Sequence, residues 1–457
     1  MKNLFRPNAS LPAAMLLAWL PLLGSATAAV SQKDTVRPIH YEIVKRGDAW
    51  QLLADGQPLY LNGAVGWSHF DVLRQCGGNA VRARASRASL DRAHAHGLRV
   101  MAGLPVRGER SRMDWSDPQQ VAQQMQTVLA VVEELKDHPA LMLWVVGNEL
   151  DWIPPGIPHD PSLWERLNDL AVAIGRLDPH HPVLTVIGTG RYQQKIRQIA
   201  QSCPDMDLLG INAYGDIEQV TELTRKHWPK SYLVAEWGPT GHWQVPKTKW
   251  RVPLEQASSE KAQAVQQRYT KIIQADEKHC LGSFVFLWGQ KQETTHTWYG
   301  MFRDGKRTES VDVMQYLWSG DWPANRAPAV QRITISGFPD QRSVYLSQKG
   351  PYRATVDCSD PDGDRLTFHW DIRPEVEIPK NSYAGGLEKR ARPIPGLIGD
   401  PTTQTVRFSA PANSGPYRLF VEVTDPGGSI GYANLPFYVE DRVTVVPPVE
   451  FEPLEVY

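Results

Sequence analysis

The stretch Leu141-Met142-Leu143-Trp144-Val145-Val146-Gly147-Asn148-Glu149 decides the architecture. Its six leading residues are all apolar, so 141–146 reads as a strand buried on both faces. Helix-like segments flank it. One is 118–135, with Val121, Met125, Val128, Val132 and Leu135 on one face and Ser116 as its N-cap; the other is 163–177. Moving outward, the same alternation continues. Strand-like runs fall at 59–65, 79–83 and 99–104 before the central stretch, and at 183–187, 208–212, 232–235 and 283–287 after it. A further helix is expected at 262–275. Near-continuous apolar strands alternating with helices imply a buried parallel sheet, and eight such units over about 250 residues favour a closed (β/α)8 TIM barrel. The fold class is α/β, with the barrel expected over residues 59–322.

Beyond the barrel the pattern changes. Residues 29–58 read as a hairpin lead-in: the chain from Tyr41 to Tyr60 alternates loosely and carries Asp55-Gly56, a hairpin turn signal. After Pro323-Ala324-Asn325-Arg326-Ala327-Pro328, strand-like runs separated by turn signals replace helical periods, so an all-β module is expected over 327–440. It resembles the immunoglobulin-like modules of cadherin and PKD type. Its turn Asp360-Pro361-Asp362-Gly363-Asp364 has donors that calcium accepts, but Asp and Gly make turns unaided, and turn-making is the preferred reading. Residues 441–457, rich in Pro and Glu, read as a loose tail.

A chain of 457 residues with 42% hydrophobic and 22% charged residues has ample material for both cores. The net charge of −1, without charge blocks, points away from nucleic acid and from electrostatic capture of a polyanion. Lys2 and Arg6, the apolar run Leu11 to Leu23 and Ala26-Thr27-Ala28 form a signal peptide, residues 1–28, implying export to the periplasm or beyond. The run is too short to span a bilayer, so no membrane span is expected after cleavage. Cys76, Cys203, Cys280 and Cys358 fit no zinc spacing and read mostly as buried small residues.

In such a barrel, chemistry sits at the C-terminal ends of the strands. The fourth strand runs into Asn148-Glu149 and the seventh into Glu236-Trp237-Gly238. A buried carboxylate without function is costly, so two at one mouth suggest a catalytic pair. The second strand ends near Arg82, the sixth at Asn212-Ala213-Tyr214 and the eighth at Trp288-Gly289. This series resembles the clan A glycoside hydrolases, most nearly the barrel domain of glycoside hydrolase family 2. The resemblance rests on Asn148-Glu149, Glu236, Arg82, Tyr214 and Trp288 in strand order, with Leu61-Asn62-Gly63 like the family's entry into strand one.

The resemblance implies a retaining β-glycosidase acting on a polysaccharide or oligosaccharide, with no cofactor and no metal. Glu149 would be the acid/base and Glu236 the nucleophile. Arg82 and Tyr214 would orient Glu236, Asn148 would bind the sugar 2-hydroxyl, and Trp288 would floor the site. Of the 16 Trp residues, Trp237 and Trp243 are candidate acceptor platforms. Trp152, His242, His296 and Trp298, in loops after strands four, seven and eight, either line subsites or pack the loops. The sandwich domains that precede the barrel in family 2 are not seen before it here, so an open cleft and internal attack on a chain, as by an endo-β-glucanase, are expected. Two alternatives stand beside hydrolysis: a transglycosylase using the same glutamates on an exopolysaccharide, and a non-catalytic carbohydrate-binding scaffold. Because all proposed catalytic residues precede Ala327, removal of the C-terminal module is expected to spare chemistry on small substrates.

Overall fold

The computed structural model describes residues 38–108, 111–152, 160–348, 350–376 and 388–440. The expected signal peptide and C-terminal tail lie outside them. From Pro38 onward the chain is one compact unit. It enters through an antiparallel meander, β1 (Tyr41–Arg46), β2 (Ala49–Ala54) and β3 (Gln57–Leu59). Asp55 and Gly56 have φ of 47° and 78°, as a two-residue hairpin turn requires. Tyr41 and Leu52 are buried with the residues that fill the barrel interior, so the meander closes one end of the barrel.

The barrel strands are β4 (Leu61–Gly66), β5 (Ala80–Arg84), β6 (Arg99–Gly103), β7 (Leu141–Asn148), β8 (Val183–Gly188), β9 (Leu208–Asn212), β10 (Tyr232–Trp237) and β11 (Cys280–Trp288). They pair in parallel in sequence order, and β11 returns to β4 to close the ring. Strand ends differ from the expected ones by at most three residues. In β7, Leu143 and Val145 join the interior cluster while Trp144 and Val146 join the layer under the helices. That double burial is why the run has no polar alternation.

The helices are α1 (Phe70–Gln75), α2 (Arg87–Ala95), α3 (Pro118–Leu135), α4 (Leu163–Leu177), α5 (Tyr192–Ser202), α6 (Val220–His227), α7 (Ser258–Arg268) and α8 (Glu309–Ser319). Two details correct the sequence reading. Asp117, not Ser116, caps α3: its carboxylate accepts from Gln119 N at 2.9 Å and Gln120 N at 3.4 Å, whereas the Ser116 hydroxyl donates to Asp114 at 2.6 Å. And α7 starts at Ser258 rather than 262, because the Glu260 side chain reaches back to accept from Ala257 N at 2.9 Å.

After a short hairpin, β12 (Phe302–Arg303) and β13 (Lys306–Arg307), and α8, the chain builds a β-sandwich. One sheet holds β14 (Ala329–Ile335), β16 (Tyr352–Ser359) and β18 (Thr405–Phe408). The other holds β15 (Val344–Ser347), β20 (Ile430–Glu440), β19 (Gly415–Thr424) and β17 (Thr367–Pro374), in that order. Among the described strand pairs of the sandwich, only β15–β20 is parallel. Val356, Trp370, Leu419 and Phe437 pack between the sheets. In the Asp-rich turn, Asp360 Oδ1 accepts from the backbone of Asp362 at 2.9 Å and Asp364 at 3.1 Å, which is turn-making. Cys76, Cys203 and Cys280 are buried thiols and Cys358 is half-buried; none is paired. Among the described residues, no helix is long and apolar enough to cross a membrane.

The sandwich is joined to the barrel by buried polar contacts. Lys261 of α7 donates to Glu255 at 2.5 Å and to Thr297 O at 2.7 Å. Glu255 also accepts from Asn434 of β20 at 2.7 Å and from Thr295 at 2.5 Å. Arg418 of β19, 1% exposed, donates to Asn434 at 2.6 Å, Pro253 O at 3.1 Å and Glu375 at 2.8 Å. The loops so gripped are those that follow β10 and β11. Removal of the module would therefore strip partners from buried charges, a cost in stability that stands beside the expectation of spared chemistry on small substrates.

Candidate active site

Glu149 owes its position to an irregular strand end. Where β7 pairs β8, the register shifts between Val145 and Asn148. Gly147 turns there with φ 85°, and a Cβ on it would meet Leu150 at 2.3 Å, so only glycine fits. Glu149 itself has φ 49°, a left-handed conformation costly for a residue with a side chain. Its amide is tied to Val186 O at 2.8 Å. Glu236 also follows an irregularity: the pairing of β10 with β9 shifts between Val234 and Glu236, so Ala235 packs in the barrel interior and Glu236, the next residue, still faces the mouth.

The two carboxylates share one hydrogen-bonded array. Arg82, from β5, donates to Glu236 Oε1 at 2.7 Å and to Asn148 Oδ1 at 2.6 Å, and more weakly to Asn212 Oδ1 at 3.3 Å and Ala235 O at 3.2 Å. Tyr214 Oη donates to the other Glu236 oxygen at 3.0 Å. Asn212 Nδ2 donates to Glu149 Oε1 at 2.7 Å and to Asn148 Oδ1 at 3.1 Å. Burial raises the Glu149 pKa above the usual carboxylate range and the negative charge of Glu236 adds to this; the Asn212 hydrogen bond and the positive Lys195 partly offset it. Tyr214 is pushed well above the usual phenol range, by burial first and by Glu236 second, so it remains a neutral donor.

Arg82, Asn148, Glu149 and Glu236 line a cavity of about 680 Å³ at the C-terminal ends of the strands. Its wall includes Trp67, Val106 and Ser111 from the loops after β4 and β6, Arg84 from the end of β5 and Ser89 from α2. Trp67 is 58% exposed. Trp243, in the loop after β10, is 52% exposed and stands edge-on to Tyr214 at 5.6 Å.

Two expected site residues lie elsewhere. Trp288 is fully buried: its Nε1 donates to His69 O at 3.0 Å and its ring packs on Phe302 and Trp318. A register irregularity between Phe286 and Trp288, where β11 pairs β4, accompanies its turn into the helix layer. The half-buried aromatic beside Tyr214 is instead Phe286, at 6.0 Å. Trp237 is also fully buried, against Tyr269 in the layer under the helices. Of the loop residues, Trp298 and His296 are buried, the first donating to Thr240 O at 3.0 Å and the second packed on Phe420 of the sandwich. Trp152 is 40% exposed, and His242 pairs with Glu293 at 3.4 Å.

The sequence reading passed over Asn212, although an asparagine closing an apolar strand beside Tyr214 was the available signal. Trp67 gave none beyond its place after the first strand.

Fold and site together define a (β/α)8 barrel protein with a paired-carboxylate mouth. Among solved structures, the chain is similar to β-glucuronidase 3 of Bacteroides uniformis, at 14% identity and TM-score 0.46, over 88% of this chain and 52% of that one. It is similar also to a Parabacteroides merdae β-glucuronidase, at 14% identity and TM-score 0.45, over 88% and 51%. A third is a β-mannanase from the blue mussel Mytilus edulis, at 13% identity and TM-score 0.40, over 62% of this chain and 97% of that one. The chain thus spans about half the length of the two glucuronidases. No family model matches the chain, and no curated protein matches it in sequence.

Proposed function

We propose that this chain is an exported, retaining glycoside hydrolase of clan A, nearest to family 2 in the order of its motifs, that cleaves β-linked glycans. The observation that carries the reading is the shared array: two glutamates at one barrel mouth, one held by Asn212 with its pKa raised, the other gripped on both oxygens by Arg82 and Tyr214. That asymmetry divides an acid from a nucleophile. Glu149, protonated, gives its proton to the leaving oxygen while Glu236 attacks the anomeric carbon. Once Glu236 is esterified its charge is gone, the Glu149 pKa falls, and Glu149 as carboxylate takes a proton from the incoming water. Asn148 is the candidate partner of the sugar 2-hydroxyl. The leader, residues 1–28, would send the protein to the periplasm or outside the cell, and the sandwich is read as an immunoglobulin-like module.

A transglycosylase reading is favoured by one observation, the exposed Trp243 beside Tyr214, which offers an acceptor sugar a stacking face in competition with water. The test is a panel of β-linked polysaccharides and oligosaccharides, with products sized by mass spectrometry and the anomer of first release read by NMR. Retention of configuration with shorter products supports hydrolysis. Products longer than the starting oligosaccharide favour transfer. Inversion, or no turnover on any glycan, would sink the proposal.

A further inference from the structure

Lys195, on the first turn of α5, is 7% exposed and far from any surface role. Its ammonium makes two close contacts: the carboxylate of Asp151 at 2.6 Å and Gly188 O at 2.8 Å. Asp151, 6% exposed, lies two residues after Glu149 on the same turn. Its Oδ1 has no hydrogen bond among the described residues, so the carboxylate leans on Lys195 for compensation. Gly188 is the residue whose α-carbon faces Glu149: a Cβ there would stand 3.2 Å from Glu149 Oε1. One ammonium therefore ties the far side of the Glu149 turn to the strand end against which the Glu149 carboxyl rests.

We infer that the Lys195–Asp151 ion pair is a positioning device for Glu149, holding its left-handed turn and setting the pH at which its carboxyl gives up the proton. The inference rests on the acid/base reading of Glu149. The groups around that carboxyl are Glu236 from β10, Tyr214 after β9, Arg82 and Arg84 from β5, Lys195 from α5 and Asp151 on its own turn. Asp216 accepts from the hydroxyl of Thr189, the residue after Gly188, at 2.5 Å. Burial and Glu236 both favour the protonated form. An acid that must later act as a base needs an opposing charge, and Lys195 supplies it, trimmed by Asp151.

The two partners act on Glu149 with opposite sign, which separates electrostatic setting from mere scaffolding. The test is a carbon-13 carboxyl NMR titration of the full chain labelled at glutamate, the Glu149 signal being assigned by its loss in Glu149→Gln. It needs no substrate, so it reads even if no glycan is cleaved. Lys195→Met should raise the Glu149 midpoint by about half a pH unit or more, the size of effect a buried charge exerts at an effective dielectric of about 20. Asp151→Asn should lower it, Lys195→Arg should leave it near wild type, and the Lys195→Met/Asp151→Asn double variant should return toward wild type. If Lys195→Met does not fold, Asp151→Asn and the double variant still carry the sign. Shifts of the same sign for both single variants, or none in either, would overturn the inference.

Discussion

Arg82 gives the array its most measurable consequence. Its guanidinium serves Glu236, Asn148 and Asn212 together, with the Arg82 and Glu236 side chains only 11% and 17% exposed. Arg82→Met keeps most of the stem and removes the charge. Breaking a buried pair from one side costs about 3–5 kcal/mol, because the remaining charge is left uncompensated. Here Tyr214 still donates to Glu236 Oε2 and some water reaches the pair, so about 2–3 kcal/mol is expected. The assay is urea unfolding at neutral pH, run as a cycle with Glu236→Gln. With the carboxylate charge already removed, Arg82→Met should cost much less, leaving a coupling of about 1–2 kcal/mol. Turnover should fall in both single variants. A cost for Arg82→Met within about 0.5 kcal/mol of zero, the range of ordinary surface changes, would refute the view that Arg82 compensates the buried Glu236 carboxylate.

Glu149→Gln and Glu236→Gln should each lower turnover on any cleaved glycan by several orders of magnitude with circular dichroism unchanged; near-normal rates in either would remove that residue from the mechanism. Glu149→Gln should also stabilise the protein near neutral pH. A carboxyl whose folded pKa lies above its unfolded value binds more protons when folded, so wild type loses stability as pH rises through that window while the amide does not. The gap in urea midpoint should close as pH drops toward the ordinary glutamate value, and a constant gap would contradict this. Truncation before Ala327 should leave a barrel prone to proteolysis in the loops after β10 and β11, with a lower Tm, since Asn434, Arg418 and Tyr432 are lost from around Glu255 and Lys261; an unchanged Tm would show that these contacts do not hold the loops. Trp67→Ala and Trp243→Ala should each raise KM on long glycans more than on short ones, and equal effects on both would deny them a stacking role.

The fold was legible because each strand of a closed parallel barrel is buried twice. That requirement removes polar alternation and leaves apolar runs such as 141–146, whose register the helices between them cannot disguise. The carboxylates were legible for the opposite reason: at the end of such a run, Glu149 and Glu236 had no local partner to account for them. What escaped is what depends on the direction of a side chain at an irregular strand end. In β10 the pairing with β9 shifts between Val234 and Glu236, so Ala235 and Glu236 both face inward and Trp237 turns into the helix layer against the plain alternation of the run. Trp288 is a second such case: the register irregularity after Phe286 is a property of pairing with β4, and no local pattern announces it. Likewise, nothing in the chain near Glu149 reveals Lys195, 46 residues on, or the hold of β19 and β20 on the loops after β10 and β11. Such contacts join segments that meet only when the barrel has closed. A barrel mouth built from several strand ends is therefore read from sequence in its charges and from structure in its supports.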